Sequence, residues 1–254
     1  GVVLALLSMV LLGCFHLPWV PQLIAILLGC GAVWEILGAN GIRNKGSYAA
    51  GLFLAVIIPL FSLTEKVWWM AAALVLGLGF FTYLMTRIGK QAPAWVAAPE
   101  IVLALSLYRG LACYGEIPHG AFFLCLTGLI CALTDIFAYL VGSRFGRRKL
   151  APKVSPGKSI EGALGGLGIT VVLIVLVFGR FFDDIGTLVL YTAVVSILGQ
   201  FGDLSMSAVK RVAGVKDFGH IFPGHGGILD RCDSLMYPLA FTWLLYCAQI
   251  WIFV

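Results

Sequence analysis

The stretch at 219–234, GHIFPGHGGILDRCDS, interrupts a chain that is otherwise strongly apolar. Its sixteen residues include Asp230, Arg231 and Asp233 together with two histidines and four glycines. Charges at this density are too costly for a lipid-facing span, and glycines at this density weaken an ordinary helix. The stretch therefore predicts a connector that meets water, a ligand or both, at the point where the last apolar span begins.

The composition around this connector is that of a membrane protein. Of the 254 residues, 61% are hydrophobic and 11% are charged, and the mean hydropathy is +1.01. A soluble domain carries about 25% charged residues. No polar stretch is long enough to form a second core, so we expect a single membrane domain over 1–254. The seven cysteines form no CxxC pair, which favours small buried side chains over a metal or disulfide framework.

The apolar runs predict an all-α polytopic integral membrane protein with about nine transmembrane helices. Backbone groups in lipid must be paired within the segment, and the alternation expected of a barrel is absent. No small-residue cleavage site or basic leader precedes the first run, so we expect that run to belong to the mature protein. The nine runs are centred near Leu7, Leu27, Val56, Val75, Ala104, Gly128, Val171, Val194 and Leu244.

Basic residues predict how these helices are oriented. Fourteen of the 17 lysines and arginines fall in alternate connectors, whereas the opposite connectors hold only Lys66 and Arg180. The positive-inside rule places the basic connectors in the cytoplasm and the C-terminus outside. The fourteen are Arg43, Lys45, Arg87, Lys90, Arg144, Arg147, Arg148, Lys149, Lys153, Lys158, Lys210, Arg211, Lys216 and Arg231.

Acidic residues inside apolar runs need a partner or a water-filled cavity, because a charge at the bilayer centre costs about 2.5–3.5 kcal/mol. Asp135 and Asp203 precede Arg144 and Arg211 by nine and eight residues, which puts both about 12–14 Å below the basic face. They predict the floor of a cytoplasm-facing polar cavity. Glu35 is interpreted as a snorkelling side chain, and Glu100 and Arg109 as structural partners of other spans.

Two further spacings predict a metal site. Asp203, Ser207 and Lys210 share one helix face, and Asp230 and Asp233 lie three residues apart where the last helix begins. Three aspartates from two segments suit a hard divalent cation, and we expect Mg²⁺ held together with substrate phosphates. One of the two later aspartates alternatively caps its helix. The two histidines lack the partner cluster of a zinc site.

The stretch at 155–166, SPGKSIEGALGG, resembles half of a phosphate-binding P-loop. It contains Gly157, Lys158 and Ser159, but Pro152 occupies the position of the first glycine and no strand is expected before it. A Pro-Gly turn here would still deliver Lys158 and Ser159 to a helix N-terminus, where free N–H groups attract phosphate. The pair Gly162 and Gly166 favours close helix packing.

With these residues identified, the sequence resembles the phosphatidate cytidylyltransferases, or CDP-diacylglycerol synthases. The signature of that family is similar to SAVKRVAGVKDFGHIFPGHGGILDRCD at 207–233, and TDIFAYLVGSRFGRRKLAPKVSPGKSIEG at 134–162 matches a second family region. Met206 departs from the pattern, because an acidic residue is expected there. The resemblance covers roughly the C-terminal half, so 116–254 is interpreted as the catalytic half, with cytoplasmic loops 144–158 and 211–233, and 1–115 mainly as scaffold.

The resemblance implies that CTP and phosphatidic acid react to give CDP-diacylglycerol and pyrophosphate with Mg²⁺, a second metal or monovalent cation being left open. It implies a multi-pass protein of the bacterial inner membrane with a cytoplasmic active site, no nucleic-acid partner, and a homodimer as an open question. The implied catalytic residues are Asp203, Asp230, Asp233, Lys210, Arg211 and Asp135. The implied substrate-binding residues are Ser155, Lys158, Ser159, Ser207, Lys216, Asp217, His225, Gly226, Gly227 and Arg231.

Two other functions remain open at this point. A CTP-dependent polyprenol or phytol kinase needs the same nucleotide and the same access to lipid, but it releases CDP instead of pyrophosphate. A secondary transporter also carries intramembrane carboxylates, yet the chain shows no inverted repeat and its polar residues gather at one face.

Overall fold

The structure is a computed structural model that describes residues 19–60, 67–87, 97–112, 114, 119–219 and 226–248. Helices dominate the described residues. They are α1 Trp19–Ala39, α2 Lys45–Leu60, α3 Val67–Arg87, α4 Ala97–Ala112, α5 Gly120–Phe145, α6 Ile160–Phe178, α7 Ile185–Ala213, α8 Leu229–Cys232 and α9 Met236–Cys247. Two strands, β1 Lys149–Ala151 and β2 Ser155–Ser159, lie between α5 and α6, and a 3-10 turn, Gly179–Phe181, follows α6.

The helices confirm the predicted class of apolar helical protein. Among the residues that the structure describes, four segments are long and apolar enough to cross a bilayer: α1, α5, α6 with its 3-10 turn, and α7. Each predicted centre from Leu27 to Leu244 falls on a helix, whereas the centre near Leu7 lies outside the described residues. Helices α2 and α4, at 16 residues, are about 24 Å long, which is shorter than the usual hydrocarbon core.

A β-hairpin was not predicted, and the expectation that no strand precedes α6 was wrong. Strand β1 pairs antiparallel with β2, Lys149 opposite Ser159 and Ala151 opposite Ser155. Val154 in the turn is fully buried. A connector of this length must satisfy its own backbone groups, and a short hairpin does so locally. Because it is only a few residues long and includes Pro156, it shows no strand periodicity in the sequence.

Side-chain caps determine where α6 and α7 begin. The Oγ atom of Ser159 accepts a hydrogen bond from the Gly162 N–H, which caps α6. The carboxylate of Asp184 accepts from the Gly186 and Thr187 N–H groups and caps α7. At its other end α7 stops at Gly214, which has the positive φ of 76° that favours glycine.

Helices α5 and α6 approach closely along the Gly162–Gly166 face, as predicted. A Cβ atom on Gly162 would lie 2.6 Å from the Ala138 carbonyl oxygen, and one on Gly166 would lie 2.7 Å from the Thr134 oxygen. Any side chain at these positions would push the helices apart. The close contact holds the C-terminal half of α5 beside the start of α6, which is where the candidate site lies.

The core of the described part of the chain has two clusters. The larger joins α1, α4, α7 and α9 around buried side chains such as Tyr108 and Tyr237. The smaller lies between α5, α6 and α7, next to hydrogen bonds that link Tyr191 to Thr127 and Thr242. Helix α7 borders both clusters, so it connects the two halves of the molecule.

Candidate active site

A cavity of about 570 Å³ opens among the C-terminal half of α5, the hairpin, the start of α6, α7 and the segment at 230–233. All of its lining residues fall between Asp135 and Asp233. The two sequence regions singled out above, 134–162 and 207–233, therefore converge on one space. The polar residues lining it include Asp135, Asp203, Asp230, Asp233, Ser155, Lys158 and Ser159.

Asp203 lies at the centre of the polar wall, on α7. Its Oδ2 atom pairs with the Lys158 ammonium group from β2, and its Oδ1 atom accepts a 3.4 Å hydrogen bond from the Ser207 hydroxyl one turn later. The predicted shared face of Asp203 and Ser207 is confirmed. Because Lys158 and Asp203 are about a quarter exposed, their pair faces the open cavity. Lys158 is thus held where a phosphate could displace the carboxylate.

Asp230 fixes the connector between α7 and α9. Its Oδ1 atom accepts a 2.8 Å hydrogen bond from Lys210 Nζ, and its Oδ2 atom accepts 2.9 Å bonds from the Phe218 and Gly227 N–H groups. Burial raises the pKa of Asp230, but these hydrogen bonds outweigh burial, so the pKa lies below its ordinary value. Lys210 and Asp230 form an almost fully buried ion pair that ties the connector to α7.

Asp233 lies one turn beyond Asp230 and is close to α7. Burial, reinforced by the negative charge of Asp203, raises the pKa of the Asp233 carboxyl to about 7. Its Oδ1 atom accepts a hydrogen bond from the Ser234 N–H. The backbone reaches α7 only because residue 202 is glycine: a Cβ there would overlap the Asp233 carbonyl oxygen. Asp135 enters the same cavity from α5, with an exposed side chain.

Some of the predicted catalytic and substrate-binding residues also have structural partners. The buried Ser159 hydroxyl caps α6, and Arg211 donates to the backbone oxygens of Val154 and Val215, which ties the hairpin to the end of α7. Ser155 is half-buried and lines the cavity. Gly226 has a positive φ of 82°, which favours glycine.

Seven predicted substrate-binding residues do not line the cavity or cannot be placed; Ser207, Gly226 and Gly227 are among them. Lys216, Asp217 and Arg231 are exposed outside the cavity wall. His225 lies outside the described residues.

The charges of the cavity favour a cation. Four acidic side chains line the cavity, at Asp135, Asp203, Asp230 and Asp233, whereas the basic groups paired with them are only Lys158 and Lys210, so acidic groups outnumber basic ones. Oxygen ligands of this kind are those that Mg²⁺ prefers. Within the described part of the chain, no three acidic, histidine or cysteine side chains are close enough to share one ion as they stand. The metal set Asp203, Asp230 and Asp233 therefore stays a prediction.

The sequence interpretation missed the role of Glu35. This side chain was expected to reach the cytoplasmic surface, but it is 2% exposed and accepts hydrogen bonds from the Ile228 and Leu229 N–H groups. Gly31 lies four residues before Glu35, so both are on one face of α1. This spacing is the signal that could have indicated a segment docked against that face.

The other intramembrane charged residues have structural contacts away from the cavity. Glu100 accepts a 3.0 Å hydrogen bond from Asn40 Nδ2, and Arg109 donates to the Ile58 carbonyl oxygen. Their interpretation as partners of other helices is confirmed. Met206, at the position where an acidic residue was expected, is 2% exposed and packs in the larger core cluster. Its side chain therefore does not line the cavity.

Comparisons with known proteins show the family of this chain. The model of the cytidylyltransferase family matches residues 1–248. Proteins named phosphatidate cytidylyltransferase from Staphylococcus haemolyticus and Staphylococcus epidermidis are each 36% identical, over 227 and 226 residues, which is 86% of this chain and 86% of each relative. YnbB of Escherichia coli, described as uncharacterised, is 38% identical over 172 residues, 66% of this chain and 53% of that protein. The chain is thus an enzyme that belongs to the cytidylyltransferase family.

Proposed function

We propose that this enzyme transfers the cytidylyl group of CTP to phosphatidic acid, which gives CDP-diacylglycerol and pyrophosphate. The observation that carries the proposal is the single cavity in which Lys158 from the hairpin meets Asp203 from α7 and Asp233 from the last connector. The names of the staphylococcal relatives, which cover 86% of the chain, support the choice of lipid substrate.

The chemistry requires no protein nucleophile. An oxygen of the lipid phosphate attacks the α-phosphorus of CTP, the bond from that phosphorus to the bridging oxygen breaks, and pyrophosphate leaves. The protein contributes position and charge. Lys158 would leave Asp203 to bind a phosphate oxygen, and Ser155 at the cavity wall would donate a further hydrogen bond. Lys210 and Arg211 would act by holding Asp230 and the hairpin in place.

Magnesium fits the acidic wall of the cavity. Asp135, Asp203 and Asp233 all line the cavity, and Asp203 and Asp233 repel one another in the absence of a cation. A bound Mg²⁺ would neutralise negative charge on the triphosphate and on the pyrophosphate that leaves. Asp230 belongs to the predicted set, but it would have to exchange a hydrogen bond from Lys210, Phe218 or Gly227 to bind a metal ion. A second metal or monovalent cation is part of the same proposal.

The membrane arrangement that we propose has nine spans, with the cavity open to the cytoplasm of a bacterial inner membrane. Exposed basic side chains lie beside the cavity at Arg144, in the last turn of α5, and at Arg147, Arg148 and Lys149 just after it, as the positive-inside rule requires of a cytoplasmic face. Residues 116–254 would form the catalytic half, since every lining residue lies there. Residues 1–115 would mainly support it.

A product assay tests this function. Purified protein in lipid nanodiscs, supplied with CTP, phosphatidate and Mg²⁺, should form CDP-diacylglycerol and pyrophosphate in equal amounts. Asp203→Asn should lower this activity severely, because it removes the carboxylate that pairs with Lys158 and would bind the cation. Formation of CDP and a phosphorylated polyprenol or phytol, when those alcohols replace phosphatidate, would instead identify a lipid kinase.

A further inference from the structure

We propose that Glu35, on α1, is a positioning residue for nucleotidyl transfer, because it fixes the segment that carries Asp230 and Asp233. The inference rests on the proposed function for its catalytic meaning. The side chain does not line the cavity, and it belongs to the part of the chain that the sequence assigns to the scaffold. It acts through backbone groups at the far end of the chain.

Both carboxylate oxygens of Glu35 are used. Oε1 accepts a 2.7 Å hydrogen bond from the Ile228 N–H, and Oε2 accepts a 2.8 Å bond from the Leu229 N–H, 193 and 194 residues away. A carboxylate acceptor makes a stronger hydrogen bond than a neutral acceptor does. Because Glu35 is buried, water does not compete for the two N–H groups. The side chain therefore binds two successive backbone N–H groups.

Three glycines leave the space that this contact between Glu35 and the connector needs. A Cβ on Gly31, one turn before Glu35, would lie 2.6 Å from Ile228 Cδ1, and a Cβ on Gly227 would overlap the Glu35 carboxylate. A Cβ on Gly219, at the other end of the connector, would lie 2.9 Å from Glu35 Oε1. The face of α1 thus receives both ends of the glycine-rich connector.

The two residues that Glu35 binds, Ile228 and Leu229, come directly before the residues of the segment that line the cavity. Leu229 is fully buried, and the next residue, Asp230, accepts from the Phe218 and Gly227 N–H groups and pairs with Lys210 on α7. Asp233 follows one turn later. Displacement of Ile228 and Leu229 would therefore move both carboxylates relative to Asp203, which α7 holds independently. A shift of this kind would weaken the binding of any ligand that contacts all three of these carboxylates.

Glu100 offers a matched control for the general effect of a buried acid. It is also 2% exposed, and its Oε2 atom accepts a hydrogen bond from Asn40, but it lies away from the cavity wall. If Glu35 served only packing, neutral amides at the two positions would have similar effects on the site.

The test is Glu35→Gln beside Glu100→Gln in the full chain, in nanodiscs. The amide nitrogen of glutamine cannot accept, so one of the two gripped N–H groups loses its acceptor. Hydrogen–deuterium exchange in peptides over 226–233 should accelerate in Glu35→Gln and stay unchanged in Glu100→Gln. In the same samples kcat should fall by about 10- to 100-fold, the range seen when a supporting hydrogen bond to a site is removed. The Mg²⁺ concentration for half-maximal activity should rise in Glu35→Gln alone.

Gly227→Ala is the second variant, because it pushes the same segment away from an intact Glu35. It should reproduce the accelerated exchange and the loss of kcat even if Glu35→Gln does not fold. Unchanged exchange over 226–233 in either folded variant, or equal kinetics in Glu35→Gln and Glu100→Gln, would overturn the proposal. If the wild type makes no CDP-diacylglycerol, the proposed reaction fails, whereas the exchange comparison still decides whether Glu35 holds this segment.

Discussion

At the residue scale, the ion pair between Lys158 and Asp203 links the two substrate-facing regions of the chain. Each charge satisfies the other in the absence of ligand, and each is sufficiently exposed to exchange partners. A triphosphate would draw Lys158 away, and the freed Asp203 carboxylate would then be available to a cation. Nucleotide binding would leave the Asp203 carboxylate without its partner, and metal binding would do the same to Lys158. Each ligand should therefore increase the affinity of the site for the other.

Lys158→Gln tests this role. Loss of one charge-assisted contact costs about 1.5–3 kcal/mol, so kcat/KM for CTP should fall by about 10- to 150-fold. Steady-state kinetics in nanodiscs measure the change. The control is Lys45→Gln, which removes an exposed charge at the start of α2 and should leave kcat/KM within about twofold. Equal losses in the two variants would show that general surface charge, rather than a site contact, is responsible.

The sequence predicts which residues are unusual more readily than it predicts their partners. Asp135 and Asp203 could be singled out because a charge in an apolar run is costly wherever it occurs. The sequence did not indicate that Lys210 pairs with Asp230, 20 residues away, or that Arg211 binds the Val154 backbone oxygen in the hairpin turn. Helical spacing specifies the face on which a side chain lies, but a partner from another segment depends on packing between helices.

At the scale of elements, the helix pair α5–α6 positions Asp135 in the cavity that Asp203 also lines. The contact depends on Gly162 and Gly166, whose missing side chains let the backbones approach. The apolar helices themselves follow from local hydropathy, which is why their centres could be predicted. The hairpin before α6 depends on pairing across a short turn, so no pattern in the sequence indicated it.

Gly166→Ala should separate α5 from α6. Its methyl group would lie 2.7 Å from the Thr134 oxygen, so the variant should lose about 1–3 kcal/mol of stability and part of its activity as Asp135 moves. Thermal unfolding in detergent, followed by the product assay, measures both. Gly168→Ala, two residues along the same helix, brings its added methyl group within 4 Å of no atom in the described part of the chain, so it should retain at least wild-type stability. Because alanine has the higher helix propensity, similar losses in the two variants would mean that the contact with Thr134 is not the cause.

At the scale of the whole molecule, the proposed reaction joins a water-soluble triphosphate to a lipid that stays in the bilayer. A site for both must lie near one membrane surface. The cavity meets this requirement, because its walls are formed where α5 ends and α6 begins, beside the exposed basic residues of the hairpin region. The segment Ile160–Phe181, 22 residues and about 33 Å long, then carries the chain away from that surface.

The two ends of this segment should therefore be accessible from opposite sides of the membrane. Ser155, which lines the cavity before α6, and Asp183, exposed after the 3-10 turn, are the reporters; Ser207 is too buried to serve. We expect a membrane-impermeant thiol reagent to label Ser155→Cys only in inside-out vesicles and Asp183→Cys only in intact cells, each compared with the parent chain and its native cysteines. CTP with Mg²⁺ should protect Ser155→Cys and leave Asp183→Cys unaffected. Labelling of both variants from one side would contradict a membrane-spanning α6, and labelling of Ser155→Cys from outside would reverse the proposed orientation of the cavity.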